Sequence, residues 1–133
     1  MAENFLFEIV TPYRKLVSKE VEEVTAPGEL GEFGVLAGHT QYLTLLKPGT
    51  LNYKSGSETG TIVVGRGYAE VSHDKTVVLV DEADYLSEID VAAARDSLGS
   101  AEAALEGMEP EDANYARTVN EKELAEARIA AKE

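Results

Sequence analysis

From Glu3 to Val80 the apolar residues alternate with polar ones or gather in short runs, as in NFLFEIV, GTLNY, TIVVG, YAEVS and TVVLV, and turn residues break the runs. A period of two is that of a half-buried strand, so this stretch predicts strand after strand. Turn signals fall at Pro27-Gly28, at Pro48-Gly49, and in the polar stretches 55–60 and 72–75, where proline presets one dihedral or glycine supplies positive φ. The spacing predicts a small β-sandwich or barrel. Phe5, Phe7 and Ile9 share one side, and Tyr68 with Glu70 lies opposite Ala69 with Val71. Many strands therefore bury one face and leave the other to solvent or to a partner.

After Val80 the pattern changes. DEADYLSEID is acidic and turn-like, and beyond it alanine dominates and β-branched residues become sparse. The change predicts two parts, a β domain over residues 1–84 and a helical part over 85–133. The fold class is α+β by segment: an N-terminal all-β sandwich, then a C-terminal antiparallel two-helix hairpin. Ser87 reads as an N-cap with Asp90 three residues on, and Val91, Ala94, Leu98, Ala101, Leu105 and Met108 recur at spacings of three and four. Gly107 with Pro110 stops that helix, Glu111 and Asp112 favour the start of another, and Ala113, Ala116, Leu124, Ala127 and Ala131 form a second stripe. Alanine stripes bury little area, whereas ordering costs roughly 1 to 2 kcal/mol of backbone entropy per residue. Such a hairpin is marginal unless it docks, and a detachable element is expected.

Composition narrows the chemistry. With 25 acidic and 12 basic residues the formal charge is -13, which repels nucleic acid and anionic lipid and favours neutral or basic partners. There is no cysteine, hence no disulfide, thiolate site or cysteine nucleophile. The start MAENFLFEIV has neither a basic n-region nor a long apolar run, so neither a secretory signal nor a membrane span is expected. The glycine-rich stretch GELGEFGVLAGH fits neither GxGxxG nor GxxxxGK[ST], and Glu29 and Glu32 within it would repel a phosphate. His39 and His73 show no ligand-like spacing, and no nucleophile elbow is present. No catalytic residue, metal or cofactor is expected. An independent enzyme is the least supported class, while composition and periodicity leave open a free-standing sandwich binding module with a regulatory tail and a subunit of a larger machine.

The order of segments separates these two. GEFGVLAGH is followed by LTLLKPGTL, then by VGRGYAEV at residues 64–71, then by VVLVDEAD leading into an alanine-rich helical pair. This succession, over almost the whole chain, resembles the epsilon subunit family of bacterial and chloroplast F-type ATP synthases, which corresponds to the mitochondrial delta subunit. The resemblance implies a noncatalytic rotor subunit bound to the gamma subunit and the c ring. It implies c-ring contact through Glu29, Glu32 and Phe33, and gamma contact through His39 and Tyr42. It also implies a hairpin that hinges at Asp81, Glu82, Ala83, Asp84 and Ser87 and reaches the alpha/beta hexamer with Arg117, Lys122, Arg128 and Lys132. The implied place is peripheral, on the cytoplasmic side of a bacterial inner membrane. Two departures stand out. Gln41 replaces the proline usual two residues after the histidine, and the nucleotide motif of some members, Ile or Leu, Asp, two variable residues, Arg and Ala, keeps Asp90 but has Ala93 at the arginine position. Weak or absent ATP binding is expected.

Overall fold

The computed structural model describes residues 3–38 and 41–133. Ten strands precede two helices: β1 (Phe5–Val10), β2 (Lys15–Val21), β3 (Glu23–Gly28), β4 (Gly31–Leu36), β5 (Tyr42–Leu46), β6 (Gly49–Ser55), β7 (Glu58–Val64), β8 (Gly67–Val71), β9 (Lys75–Val80) and β10 (Ala83–Tyr85), then a 3-10 turn (Leu86–Glu88), α1 (Val91–Glu106) and α2 (Tyr115–Lys132). The strands form one hydrogen-bonded strip in the order β10-β7-β6-β3-β5-β8-β9-β1-β2, with β4 on β3. The strip folds over at β3, which pairs with β6 through Glu23 to Thr25 and with β5 at Gly28. All neighbours are antiparallel except β1 and β9, which run parallel and bring the two ends of the β region together.

The alternation in the sequence becomes the core. Phe7, Ile9, Val21, Val24, Val35, Leu51, Ile62, Val71 and Val78 are fully buried between the layers, and the Phe7 and Tyr53 rings meet across them with centroids 5.7 Å apart. Each such side chain contributes about 1.5 to 3 kcal/mol relative to exposure. Gly28 faces Gly31 across the β3–β4 turn. A Cβ on Gly28 would lie 2.6 Å from the Gly31 carbonyl oxygen, and Gly31 itself has φ of +131°, so this two-residue turn requires both glycines.

The helical part is an antiparallel hairpin, as the alanine stripes predict. Val91, Ala94, Leu98, Ala101, Leu105 and Met108 are all buried or half-buried, and α1 packs on α2. Three local expectations are corrected. The N-cap of α1 is Asp90, whose Oδ1 accepts from the Ala93 N–H at 3.1 Å; Ser87 lies in the preceding 3-10 turn, closed off by the Glu88 carboxylate on the Tyr85 N–H. The second stripe excludes Ala113 and Ala116, both exposed: Ala113 lies in the turn before the helix starts at Tyr115, and Ala116 lies on the exposed side of its first turn. In their place α2 buries two lines: Leu124, Ala127 and Ala131 pack with Val63 of β7, and Thr118 and Ala125 lie about 100° round the helix. Finally, the acidic stretch after Val80 is not a free turn. Ala83–Tyr85 pairs with Val64–Ile62, because the buried Ala83 and the edge of β7 make a better partner for this backbone than water does.

Candidate functional site

The first candidate surface is the β3–β4 tip. Glu29 and Leu30 make the turn, and the Glu29 N–H donates to the Leu45 carbonyl at 3.0 Å, which holds the turn against β5. Glu29 and Glu32 are exposed, Leu30 projects with no shielding at all, and Phe33 is half-buried, edge-on to the Tyr42 ring at 6.1 Å. Neither glutamate has a cationic partner among the described residues. The tip is thus an apolar side chain flanked by two uncompensated charges on a backbone braced from below. It can enter a polar groove of another protein.

The second surface is the outer face of β5 and β8. Leu43 and Leu45 point outward, 64% and 58% exposed, and Tyr68, opposite Leu45, is 40% exposed. Half-buried Leu79 stands opposite Tyr68, and Val77 opposite Glu70, so the apolar patch continues onto β9. Tyr42 begins β5 at the edge of this region, and burial raises its phenol above the ordinary value. His39 lies outside the described residues. His73, exposed in the β8–β9 turn, accepts the Gly38 N–H on its carbonyl at 3.3 Å. The sequence carried a signal for this patch: in YLTLL both alternating sets contain leucine, and only Leu46, in step with Tyr42 and Thr44, goes to the core.

Farther across the same face the surface is charged. The Lys15 and Lys75 ammoniums bond the Glu8 carboxylate at 3.0 and 3.2 Å, and the Ser18 hydroxyl donates at 3.2 Å. The two lysines hold the Glu8 carboxyl at about 2, against an ordinary 4.5.

The third region joins α2 to the sandwich. Asp81 accepts from the Asn120 amide at 3.4 Å, the Arg128 guanidinium grips Asp84 at 2.7 Å and Glu82 at 3.3 Å, and the Lys132 ammonium donates to the Leu86 carbonyl at 3.1 Å. Arg14 of the β1–β2 turn forks onto Glu88 at 2.8 and 3.1 Å, and the Tyr85 hydroxyl donates to the Leu16 carbonyl at 2.5 Å. The residues named as a hinge, Asp81, Glu82, Ala83, Asp84 and Ser87, therefore sit in a segment tied to the sandwich on both sides. Of the four cations named for a hexamer contact, Arg128 and Lys132 turn inward onto residues 82–86, Arg117 pairs loosely with Glu121 at 4.0 Å, and Lys122 is half-buried. Asp90 is occupied as the cap of α1. Sequence reading missed the Arg14–Glu88 pair, which is separated by 74 residues and left no local signal.

Residues 4–85 match the family described as ATP synthase, Delta/Epsilon chain, beta-sandwich domain. The chain is 51% identical to the ATP synthase epsilon chain of Geobacter metallireducens over 115 residues, covering 86% of this chain and 83% of that protein. It is 49% identical to the epsilon chain of Geobacter sulfurreducens over the same shares. Among solved structures, it resembles a chain of the Euglena gracilis mitochondrial ATP synthase, a structure of OSCP, F1 and c-ring, with TM-score 0.80 and 26% identity over 98% of this chain and 82% of that one. A chain of the Tetrahymena thermophila mitochondrial ATP synthase central stalk and c-ring shares the fold, with TM-score 0.66 at 16% identity over 99% of this chain and 98% of that one.

Proposed function

Because this chain belongs to the epsilon family of F-type ATP synthase, whose members are noncatalytic subunits of that complex, we propose that it links the gamma subunit to the c ring in the rotor and restrains ATP hydrolysis through its hairpin. The observation that carries the reading is the pairing of an exposed apolar sheet face with a charged, braced tip. Leu43, Leu45 and Tyr68 form a patch that a stable monomer gains nothing by exposing, and covering it is what a stalk partner supplies. On this reading the gamma subunit covers that face, with Tyr42 at its edge and His39 as a further expected contact, while Glu29, Glu32 and Phe33 meet polar loops of the c ring.

The chain works as two parts, expected from the sequence as residues 1–84 and 85–133, with Tyr85 held in the sandwich by its pairing with Ile62. The hairpin in its docked form keeps Arg128 and Lys132 on the sandwich, so contact with the alpha/beta hexamer requires α2 to leave. The ion pairs are partly exposed, worth about 0 to 1 kcal/mol each, and Asp81 Oδ1 and Asn120 Oδ1 at the joint have no hydrogen-bonding partner among the described residues. The pivot is placed at Ile89–Asp90 instead of residues 81–87, beyond the Arg14–Glu88 fork, where the backbone is extended between the 3-10 turn and α1. Among the described residues, no helix is long and apolar enough to cross a membrane. The subunit is peripheral through its complex, on the cytoplasmic side of the inner membrane of a bacterium.

The test is assembly with the gamma subunit. Leu43→Asp should keep the melting temperature within a few degrees, since Leu43 is exposed, and should abolish co-purification with gamma. Undiminished co-purification of that variant overturns the assignment of this face.

A further inference from the structure

Eight of the 12 lysines and arginines hold a carboxylate or a carbonyl oxygen. Lys47, Arg66, Arg95 and Lys122 hold none among the described residues, in a chain whose acids outnumber its bases 25 to 12. Lys47 and Arg66 line one cleft of about 460 Å³ between the sandwich and α2. Their backbones are pinned: the Lys47 N–H donates to the Pro27 carbonyl at 3.0 Å, and the Arg66 carbonyl accepts the Asp81 N–H at 3.1 Å. The cleft volume suits a small ligand, and Leu45, Leu46, Pro48 and Val119 give it an apolar lining.

Glu29 and Glu123 line the same space, so its four charged residues sum to zero. That balance decides the class of ligand. A polyanion gains no long-range attraction and meets two carboxylates, whereas a single carboxylate can take the planar fork of Arg66 or the Lys47 ammonium while an apolar body fills the rest. We propose that this cleft binds a small monocarboxylate with an aromatic or branched apolar body, and that occupancy holds the hairpin against the sandwich. The linkage follows from the walls: Lys47 and Arg66 come from the sandwich, and Val119, Asn120 and Glu123 come from α2. A ligand touching both sides binds the docked form and shifts the equilibrium toward it by its differential affinity. The inference concerns the isolated chain and stands apart from the identity of the complex.

The probe is 2-naphthoate, titrated into the full chain and followed by amide NMR and hydrogen exchange. Saturable binding at roughly millimolar affinity or tighter is expected, with shifts at residues 46–48, 66–67 and 116–123 and slower exchange throughout α2. Lys47→Met and Arg66→Met should each weaken it by about tenfold, and Glu123→Gln should tighten it. The neutral isostere 2-naphthamide, and acetate, which lacks the apolar body, should each bind about tenfold less well. Absence of saturable naphthoate binding overturns the site. Equal binding of the naphthamide overturns the anion assignment, and unchanged exchange in α2 at saturation overturns the linkage.

Discussion

Glu8 lies on the outer face of β1 between Lys15 and Lys75, and those two ammoniums lower its carboxyl to about 2. A carboxyl depressed in the folded state stabilises fully above its unfolded value, near 4.5, and that stabilisation disappears as pH falls through the folded value. Glu8→Gln should therefore unfold at a lower denaturant concentration than the parent at pH 7. The difference between the two should shrink steadily from about pH 4.5 to about pH 2, and a difference independent of pH would remove the two lysines as its cause. Glu32 is the opposite case, exposed and without a cationic partner among the described residues. Glu32→Gln should change stability by within about 0.5 kcal/mol while weakening coupling in the reconstituted complex; a variant that unfolds would make Glu32 structural. At Asp90 the cap bond to Ala93 sets the start of α1. Asp90→Ala should cost the hairpin about 1 kcal/mol of helix stability, and calorimetry should find no micromolar ATP binding by the parent, whose Ala93 offers no guanidinium.

At the scale of the element, α2 is held by one apolar joint and one ionic grip. Leu124 with Val63 and Ile89 forms the joint, and Arg128 on Asp84 and Glu82 forms the grip. Arg128→Ala should loosen α2 by roughly 1 kcal/mol, since its side chain is only 23% exposed. Amide exchange in α2 should quicken several-fold while β1 to β9 keep their protection, and equal acceleration everywhere would show that hairpin and sandwich open as one unit. β10 belongs with the sheet, so the cut that spares the sandwich falls after Ile89. A chain ending at Ile89 keeps the Arg14–Glu88 fork and the β7–β10 pairing. One ending at Glu82 exposes the edge of β7 and should melt several degrees lower.

For the whole molecule, the question is what the docked hairpin withholds. Arg128 and Lys132, two of the four cations proposed to contact a catalytic hexamer, are bound to residues 82–86, and Glu121, Glu123, Glu126 and Glu133 dilute the rest of α2. Inhibition should be mild. Replacing the full chain by one ending at Ile89, at equal occupancy in the assembled enzyme, should leave ATP synthesis intact and raise hydrolysis modestly. Identical hydrolysis rates would remove the regulatory role.

The sequence by itself determined whatever depends on neighbours within a few residues. Alternation gave the β region up to Val80, with the runs that became β1 and β6 to β9, and the buried set Phe5, Phe7 and Ile9, because side chains alternate across a strand whatever lies opposite. The three-and-four spacing gave α1, Gly107 gave its end, and the order of segments gave the family. Tertiary structure alone decided three things: the parallel pairing of β1 with β9, the enrolment of Ala83–Tyr85 as β10, and the second buried face of α2. It also created the Arg14–Glu88 fork and the cleft between Lys47, Arg66 and Val119. The physical reason is the same in each case. A backbone edge, a lone charge or a half-apolar helix has several acceptable partners when read locally. Burying one common core between two layers leaves only one of them within reach.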